Sequence, residues 1–413
     1  MKIAVVNLGC KVNQYESDSL IKTLANMGHE VTDTLEYADL YILNTCAVTN
    51  EAERKSRQAV KRCKNYNNNA RIIVCGCAAE DNAMQFAEKD NVTRVSGVAG
   101  KALIPQCIDE LGVHVGELPL EYEDDFSPLS MRTRSYVKVQ DGCNNFCSYC
   151  IIPYLRGRSR SRSIDSVVKE CREVEGSHEI VITGINLSAY GKDTDSSLVE
   201  LIDSLRDINA RIRLGSLEVN VIDEALLESL SRLRMFCPQF HLSLQSGSNS
   251  VLKKMNRHYT KEEYLKRVEL IRSYYPHAAI TTDIICGFPT ETIEEFEECL
   301  DFARTVDFAD MHIFGYSRRE GTRAAKLPDY PNSVKKEREY LLEEVHADSM
   351  DRYLRSFVGS EVELLVEEEV DGMFEGYTRE YMRARMEGNA HQGEIVSCVV
   401  LGVEDKKLMV KRR

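Results

Sequence analysis

Three short apolar runs, Ile3 to Leu8, Leu40 to Leu43 and Ile72 to Val74, each end in a cysteine-bearing turn and are followed by a polar segment compatible with a helix. This strand, turn, helix rhythm predicts a parallel sheet, because a crossover helix is what returns the chain to the start of the next parallel strand. The C-terminal ends of the strands in such a sheet share one edge. Cys10, Cys46 and the Cys75-Gly76-Cys77 pair therefore stand along one edge although they are far apart in sequence, which permits three thiolates to meet. A single cysteine is more often a small buried hydrophobe, and it is the repeated position that argues for a site. Cys75 and Cys77 both qualify as the third member, since strand alternation points them the same way.

The same alternation resumes between about 130 and 345, through Ser135 to Val139, Glu179 to Thr183, Arg211 to Leu217, Gln239 to Leu244, Ile280 to Ile285 and Asp310 to Phe314. Helix-compatible stretches such as Ser197 to Arg206 and Thr292 to Thr305 lie between them. Six βα units predict a closed or partial barrel with its site at the C-terminal strand ends. After a charged helical stretch, Asn332 to Ser356, come short alternating runs: Glu361 to Val366, Phe374 to Met386, Glu394 to Leu401 and Leu408 to Lys411. These read as a small all-β barrel. The expected architecture is thus an α/β chain of three domains: a Rossmann-like parallel sheet over 1–125, a partial (β/α)6 barrel over 126–350 and a small β-barrel over 351–413. The acidic stretch Glu117 to Asp125 and Pro128 form the connector. With 413 residues, 43% of them hydrophobic and nine prolines, nothing reads as a long disordered tail.

The sharpest motif lies just beyond the first barrel strand, Cys143-Asn-Asn-Phe-Cys147-Ser-Tyr-Cys150. Three thiolates at this spacing can ligate three corners of a [4Fe–4S] cluster and leave one iron open to an external ligand, whereas a fourth cysteine would close it. A zinc site completed by a distant residue is the competing reading. The chain has neither a secretory leader nor an apolar run long enough to cross a bilayer, so a cytoplasmic location is expected. In that reducing compartment the fourteen cysteines call for metal or catalysis where clustered, not for disulfides.

The net charge of −13 argues against nucleic acid only as a sum. Between Arg132 and Arg162 seven basic residues face the single acid Asp141, and the run brackets the cysteine motif. Arg156, Arg158 and Arg160 are candidates to hold phosphate. In the tail, Tyr377, Arg379, Tyr381, Arg383 and Arg385 alternate on what reads as one strand face, where arginines could hold phosphate and tyrosines could stack on bases. An exposed amphipathic strand facing Glu367 to Glu369 is the plain alternative. Around the barrel rim, Gly184 and Asn186, Glu218, Ser243 and Gln245 follow successive strands, and Arg257 follows a Met-Asn pair. All are candidates to contact a cofactor by close backbone approach, hydrogen bonding or charge.

The CxxxCxxC motif resembles that of the radical S-adenosylmethionine (SAM) superfamily, and the whole chain resembles the radical SAM methylthiotransferases. The carrying segments are Leu8-Gly9-Cys10-Lys11-Val12-Asn13-Gln14-Tyr15-Glu16-Ser17, Asn44-Thr45-Cys46, Gly76-Cys77-Ala78-Ala79-Glu80 and Tyr154-Leu-Arg-Gly-Arg-Ser-Arg-Ser-Arg162. Glu80 stands where the pattern has glutamine, and Ser163 where it has proline. The resemblance implies that Cys10, Cys46 and Cys77, rather than Cys75, hold an auxiliary [4Fe–4S] cluster, that Cys143, Cys147 and Cys150 hold the cluster that cleaves SAM, and that the tail is a TRAM domain. It further implies methylthiolation at C2 of N6-threonylcarbamoyladenosine in the anticodon loop of tRNA, supported by an electron donor and a sulfur source. The reaction suits radical chemistry, because a ring C–H offers neither an acidic proton nor a leaving group. Relatives acting on isopentenyladenosine or on a ribosomal protein side chain, and a non-catalytic zinc and RNA-binding module, are the alternatives.

Overall fold

The computed structural model describes residues 1–124 and 133–413; Asp125, Pro128 and Arg132, named above in the connector and the basic run, lie outside them. The N-terminal unit is a six-stranded, all-parallel sheet of β1 (Lys2–Asn7), β2 (Glu30–Thr32), β3 (Leu40–Thr45), β4 (Arg71–Gly76), β5 (Val92–Ser96) and β6 (Gly112–His114). The three apolar runs are β1, β3 and β4, which lie side by side; the order β2-β1-β3-β4-β5-β6 reverses between β1 and β3. Ligand crevices in open α/β sheets form at such a reversal, beyond the carboxyl ends of the strands. Apolar clusters cover both faces. One contains Tyr41, Leu43, Val74 and Cys77, the other Ile3, Val5, Ile42, Ile73, Cys75 and Ile104.

Six parallel strands follow: β7 (Arg134–Asp141), β9 (Glu179–Gly184), β10 (Arg211–Leu214), β11 (Gln239–His241), β12 (Ala279–Cys286) and β13 (Asp310–Gly315). Bridges Ile212 to Phe236 and Leu217 to Leu242 join the β10 and β11 edges into one curved wall. The short β8 (Arg160–Ser161) pairs antiparallel with β7, and among the described residues no pairing joins β13 to β7. The barrel is partial. Its outward-facing residues, including Val137, Ile180, Ile182, Ile212, Leu242 and Ile284, pack beneath the surrounding helices. Two of those helices, Lys261–Tyr274 and Ile293–Val306, start with reciprocal capping boxes, Thr260 with Glu263 and Thr292 with Glu295. Ser163 caps the helix Ile164–Glu173 by accepting from the Ser166 amide, a cap that proline could not supply.

The 24-residue helix Asn332–Arg355 leads into a closed barrel, β14 (Glu361–Val370), β15 (Met373–Tyr377), β16 (Arg383–Met386), β17 (Ile395–Glu404) and β18 (Lys407–Arg412). The expected strand Phe374 to Met386 is two strands, β15 and β16, paired antiparallel around a turn in which Tyr381 has φ +68°. No helix among the described residues is long and apolar enough to cross a membrane.

Candidate active site

Each of the two thiol sites is approached through a glycine that no other residue could replace without strain. Gly76, at φ +94°, ends β4; a Cβ there would sit 2.6 Å from both Asn44 Oδ1 and the Thr45 carbonyl. The turn it makes separates the fates of its neighbours. Cys75 points into the core beside Ile73 and Ile104, while Cys77 begins a helix on the other face. The expectation that both point the same way fails because alternation holds only while the strand continues. Cys10 caps the helix Lys11–Asn26, Cys46 follows β3, and Cys77 follows β4, so all three stand at the sheet edge beside the β1/β3 reversal. Cys10 is exposed, Cys46 and Cys77 are buried, and burial pushes the Cys46 thiol up to about 11.

Gly142, at φ +69°, stands directly before Cys143, where a Cβ would meet the Arg158 carbonyl at 1.9 Å. Cys143, Cys147 and Cys150 lie in the loop after β7. Asn186 Nδ2 lies 3.6 Å from Cys143 Sγ, and Arg257 Nη1 lies 3.4 Å from Cys147 Sγ. Burial raises the Cys143 thiol and pushes Cys150 up to about 12. Arg257 also pairs with Glu218 at 2.9 Å and donates to the Ser243 carbonyl at 3.3 Å, while Asn145 Nδ2 donates to Glu218 at 2.6 Å. Four of the rim residues read from the sequence, Asn186, Glu218, Ser243 and Arg257, thus converge on the cysteine loop. Gly184 is pressed against Gln140, and Gln245, at φ +70°, bridges to β12 through its backbone. A carboxylate and a guanidinium side by side complement the ammonium and carboxylate of an amino acid, and N–H donors aimed at sulfur favour thiolates. The donor set fits an iron–sulfur cluster open to an amino-acid ligand.

Arg156 joins the two sites. Its Nε lies 3.4 Å from Cys77 Sγ, Nη1 lies 3.1 Å from Glu16 and 3.2 Å from Asp141, and Nη2 lies 3.3 Å from Asn13 Oδ1, which Cys10 Sγ approaches at 3.2 Å. Lys101 pairs with Glu16, and Lys138 pairs with Asp141 at 2.6 Å. Burial opposes the ionisation of Glu16, but the charges of Arg156, Lys101 and Lys138 outweigh it and hold its pKa down at about 2. Asp141, against the same burial, is held well below the usual carboxylate range by Lys138, Arg156 and Arg160. This network, from the helix capped by Cys10 to the residue two before Cys143, is the feature sequence reasoning missed. Its one local signal is the spacing of Asn13 and Glu16, which places both on one helix face.

The basic run is correspondingly corrected. Arg156 is fully enclosed and Arg160 is buried against backbone carbonyls, so neither is presented to a phosphate; Arg158 is exposed and lies over the Phe146 ring. The excess of charge counted along the chain is offset by acids distant in sequence, with Glu16 and Asp141 serving Arg156 and Lys138, Glu170 serving Arg162 and Glu367 serving Arg134. The tyrosine and arginine segment is also rearranged. Tyr377 and Tyr381 stack on each other with centroids 4.5 Å apart, and Arg134 and Arg213 cover Tyr381 at 5.0 and 4.6 Å. Arg379 donates to the Phe236 carbonyl, and Arg383 and Arg385 both hold the buried Glu375. Instead of one strand face, Tyr377, Arg379 and Tyr381 form part of the joint between the two barrels, while Arg383 and Arg385 belong to ion pairs within the tail barrel.

Residues 137–303 match the model of the Radical SAM superfamily, and residues 2–97 match Uncharacterized protein family UPF0004. Over 78% of this chain and 77% of the other, the fold superposes with TM-score 0.58 and 18% identity on the radical S-adenosylmethionine methyltransferase TsrM of Kitasatospora setae. The class is therefore that of the radical SAM enzymes, whose fold implies a [4Fe–4S] cluster and SAM. A protein of Aquifex aeolicus named threonylcarbamoyladenosine tRNA methylthiotransferase MtaB is 36% identical, covering 97% of this chain and 100% of that one. One of the same name from Bacillus subtilis is 35% identical over 97% and 93%. A tRNA-2-methylthio-N(6)-dimethylallyladenosine synthase of Pelotomaculum thermopropionicum is 36% identical over 90% and 87%. The chain belongs to the radical SAM tRNA methylthiotransferase family and is an enzyme of that class.

Proposed function

We propose that this enzyme installs a methylthio group at C2 of N6-threonylcarbamoyladenosine beside the anticodon of tRNA. The observation that carries the reading is the pairing of two three-thiol sites across Arg156, one of them flanked by the Glu218 and Arg257 pair. Cys143, Cys147 and Cys150 would hold the cluster that binds and reductively cleaves SAM; Cys10, Cys46 and Cys77 would hold the auxiliary cluster from which sulfur is delivered. Together these groups supply radical cleavage of a C–H bond and a methylated sulfur. The chain's own residues bind and orient. Glu218 and Arg257 would grip the amino-acid end of SAM, Asn186 and Arg257 would hold two of the thiolates by N–H donation, and Gly142 lets the cysteine loop close on Arg158. The tail barrel acts here as a TRAM domain, with tRNA, an electron donor and a sulfur source as cytoplasmic partners.

Both named kinds of relative act on an adenosine, so the modification already present is the discriminating variable. Nucleoside mass spectrometry of tRNA from cells with and without the gene tests the reading. Loss of the 2-methylthio derivative of threonylcarbamoyladenosine on deletion is expected; loss of the dimethylallyl derivative alone would replace it with the second substrate.

A further inference from the structure

The inward-facing side chains of the partial barrel make a polar lumen where a substrate side chain could lodge. Alternation along the strands places Arg134, Tyr136 and Lys138 of β7, Glu179 of β9, Arg213 of β10, His241 of β11, Asp283 of β12 and His312 of β13 on that inner surface. His241 Nε2 lies 3.1 Å from Asp283 Oδ2, and the His241 and His312 rings are 5.7 Å apart. The helix Lys11–Asn26 lies against β7 and β9, bringing its first residue to this lumen directly beside Cys10. One helical turn on, Gln14 lines a cavity of about 390 Å³ shared with Arg134, Tyr136, Glu367 and Tyr381, which opens between the helix and both barrels. Lys11 and Gln14 share a helix face, which sets Lys11 one helical turn from that cavity.

The cations around this lumen differ in what occupies them. Arg213 holds Glu179 through two bonds of 2.6 and 2.9 Å, Arg134 holds Glu367 and covers two tyrosines, and Lys138 holds Asp141. Lys11 keeps solvent-accessible surface and, among the described residues, has no anion at ion-pair distance; enclosure by its surroundings and the charges of Arg213 and Arg134 disfavour its charged form, which Glu179 and Asp283 favour from opposite walls. An apolar substituent would lose by lodging among these groups, because their hydration would be lost without return. A substituent ending in a carboxylate would find its counter-charge.

We propose that Lys11 is the specificity-determining residue for the substrate's N6 substituent, pairing with its carboxylate while His241, Asp283 and His312 face its uncharged polar part. This rests on the function proposed above and deepens it. C2 and the N6-bearing carbon belong to the same ring, so the residue next to an auxiliary thiol is well placed to hold that substituent. Site groups built to pair with a charged substituent also discriminate strongly against an analogue lacking it.

The test uses the cluster-loaded, full-length enzyme and four anticodon stem-loops, bearing N6-threonylcarbamoyladenosine, its carboxyl methyl ester, N6-dimethylallyladenosine and unmodified adenosine. Dissociation constants are measured anaerobically for the wild type, Lys11→Met and Lys11→Arg, with iron content checked for each. The wild type should bind the acid about 10- to 100-fold more tightly than the ester, the range of a charge-assisted pair. Lys11→Met should erase that difference without changing affinity for the ester, and Lys11→Arg should retain it. Equal binding of acid and ester by the wild type, or an equal loss for both in Lys11→Met, overturns the assignment. Turnover of the dimethylallyl stem-loop in place of the acid by the wild type instead overturns the function on which it rests.

Discussion

The two sites bring three cysteines together by opposite routes. Cys143, Cys147 and Cys150 belong to one loop of eight residues, whereas Cys10, Cys46 and Cys77 come from three separate turns at a sheet edge. Each receives an arginine N–H at 3.4 Å from one sulfur, but Arg156 is fully enclosed while Arg257 shares its charge with a partly accessible Glu218. The local site keeps a partly accessible carboxylate at its rim. The dispersed site depends on the fold to exist at all, and its arginine is fixed by Glu16 and Asp141.

The largest effects follow from separating the sites. Cys143→Ala should abolish reductive SAM cleavage and the iron absorbance of that site while leaving iron at the other. Cys46→Ala should abolish methylthiolated product but spare SAM cleavage. Iron content, electron paramagnetic resonance and product analysis of each variant give the answer; loss of both iron signals in Cys46→Ala would mean that the two sites are one cooperative unit, contrary to the contrast drawn here.

Next comes the acid at the junction. Glu16→Gln leaves Arg156 and Lys101 buried without their shared counter-charge and should cost about 3–5 kcal/mol in denaturant unfolding of the apo chain. The pH dependence has a definite sign. Because the folded pKa of Glu16, about 2, lies below its ordinary value of 4.5, its contribution is present above pH 4.5 and is lost as pH falls towards 2. The wild type should therefore lose stability in that window more steeply than Glu16→Gln. Parallel acid profiles for the two would show that Glu16 is not the titrating acid.

How much of this was legible beforehand follows the same contrast. The CxxxCxxC loop, the six βα units and the tail strands could be read because ligand spacing and hydrophobic periodicity are local. The convergence of Cys10, Cys46 and Cys77 required only the rule that parallel strands end along one edge, plus a family pattern to choose between neighbouring cysteines. The strands β2, β5 and β6, two of them of three residues each, carry too little periodicity to be seen. The basic run was misread because its charge count included only neighbours in sequence. Glu16, 140 residues away, is what turns Arg156 from a surface candidate into the bridge between sites.

A subtler change tests that bridge. Arg156→Lys keeps the positive charge between Glu16 and Asp141 but removes the Nε donor to Cys77. Loss of one hydrogen bond to a thiolate of about 1.5 kcal/mol would lower the reduction potential of the proposed auxiliary cluster by at most about 60 mV, because the oxidised, less negative state gains less from that donor than the reduced one. Anaerobic redox titration should show the shift at the auxiliary cluster alone. A shift confined to the other cluster would place the functional reach of Arg156 on the Asp141 side.

The smallest effect belongs to the cysteine beside the proposed ligand Cys77. Cys75 is wholly buried. A ligand must face the sheet edge; Cys75 instead packs against Ile73 and Ile104. Cys75→Ala should therefore cost only about 1 kcal/mol, the scale of one lost buried group, and leave iron content unchanged. Cys77→Ala, at a residue buried in the opposite apolar cluster, should cost a similar amount and in addition empty the auxiliary site. If Cys75→Ala lost iron instead, the turn at Gly76 would have to reverse on cluster binding, and the dispersed site would be assembled by its metal rather than by the sheet.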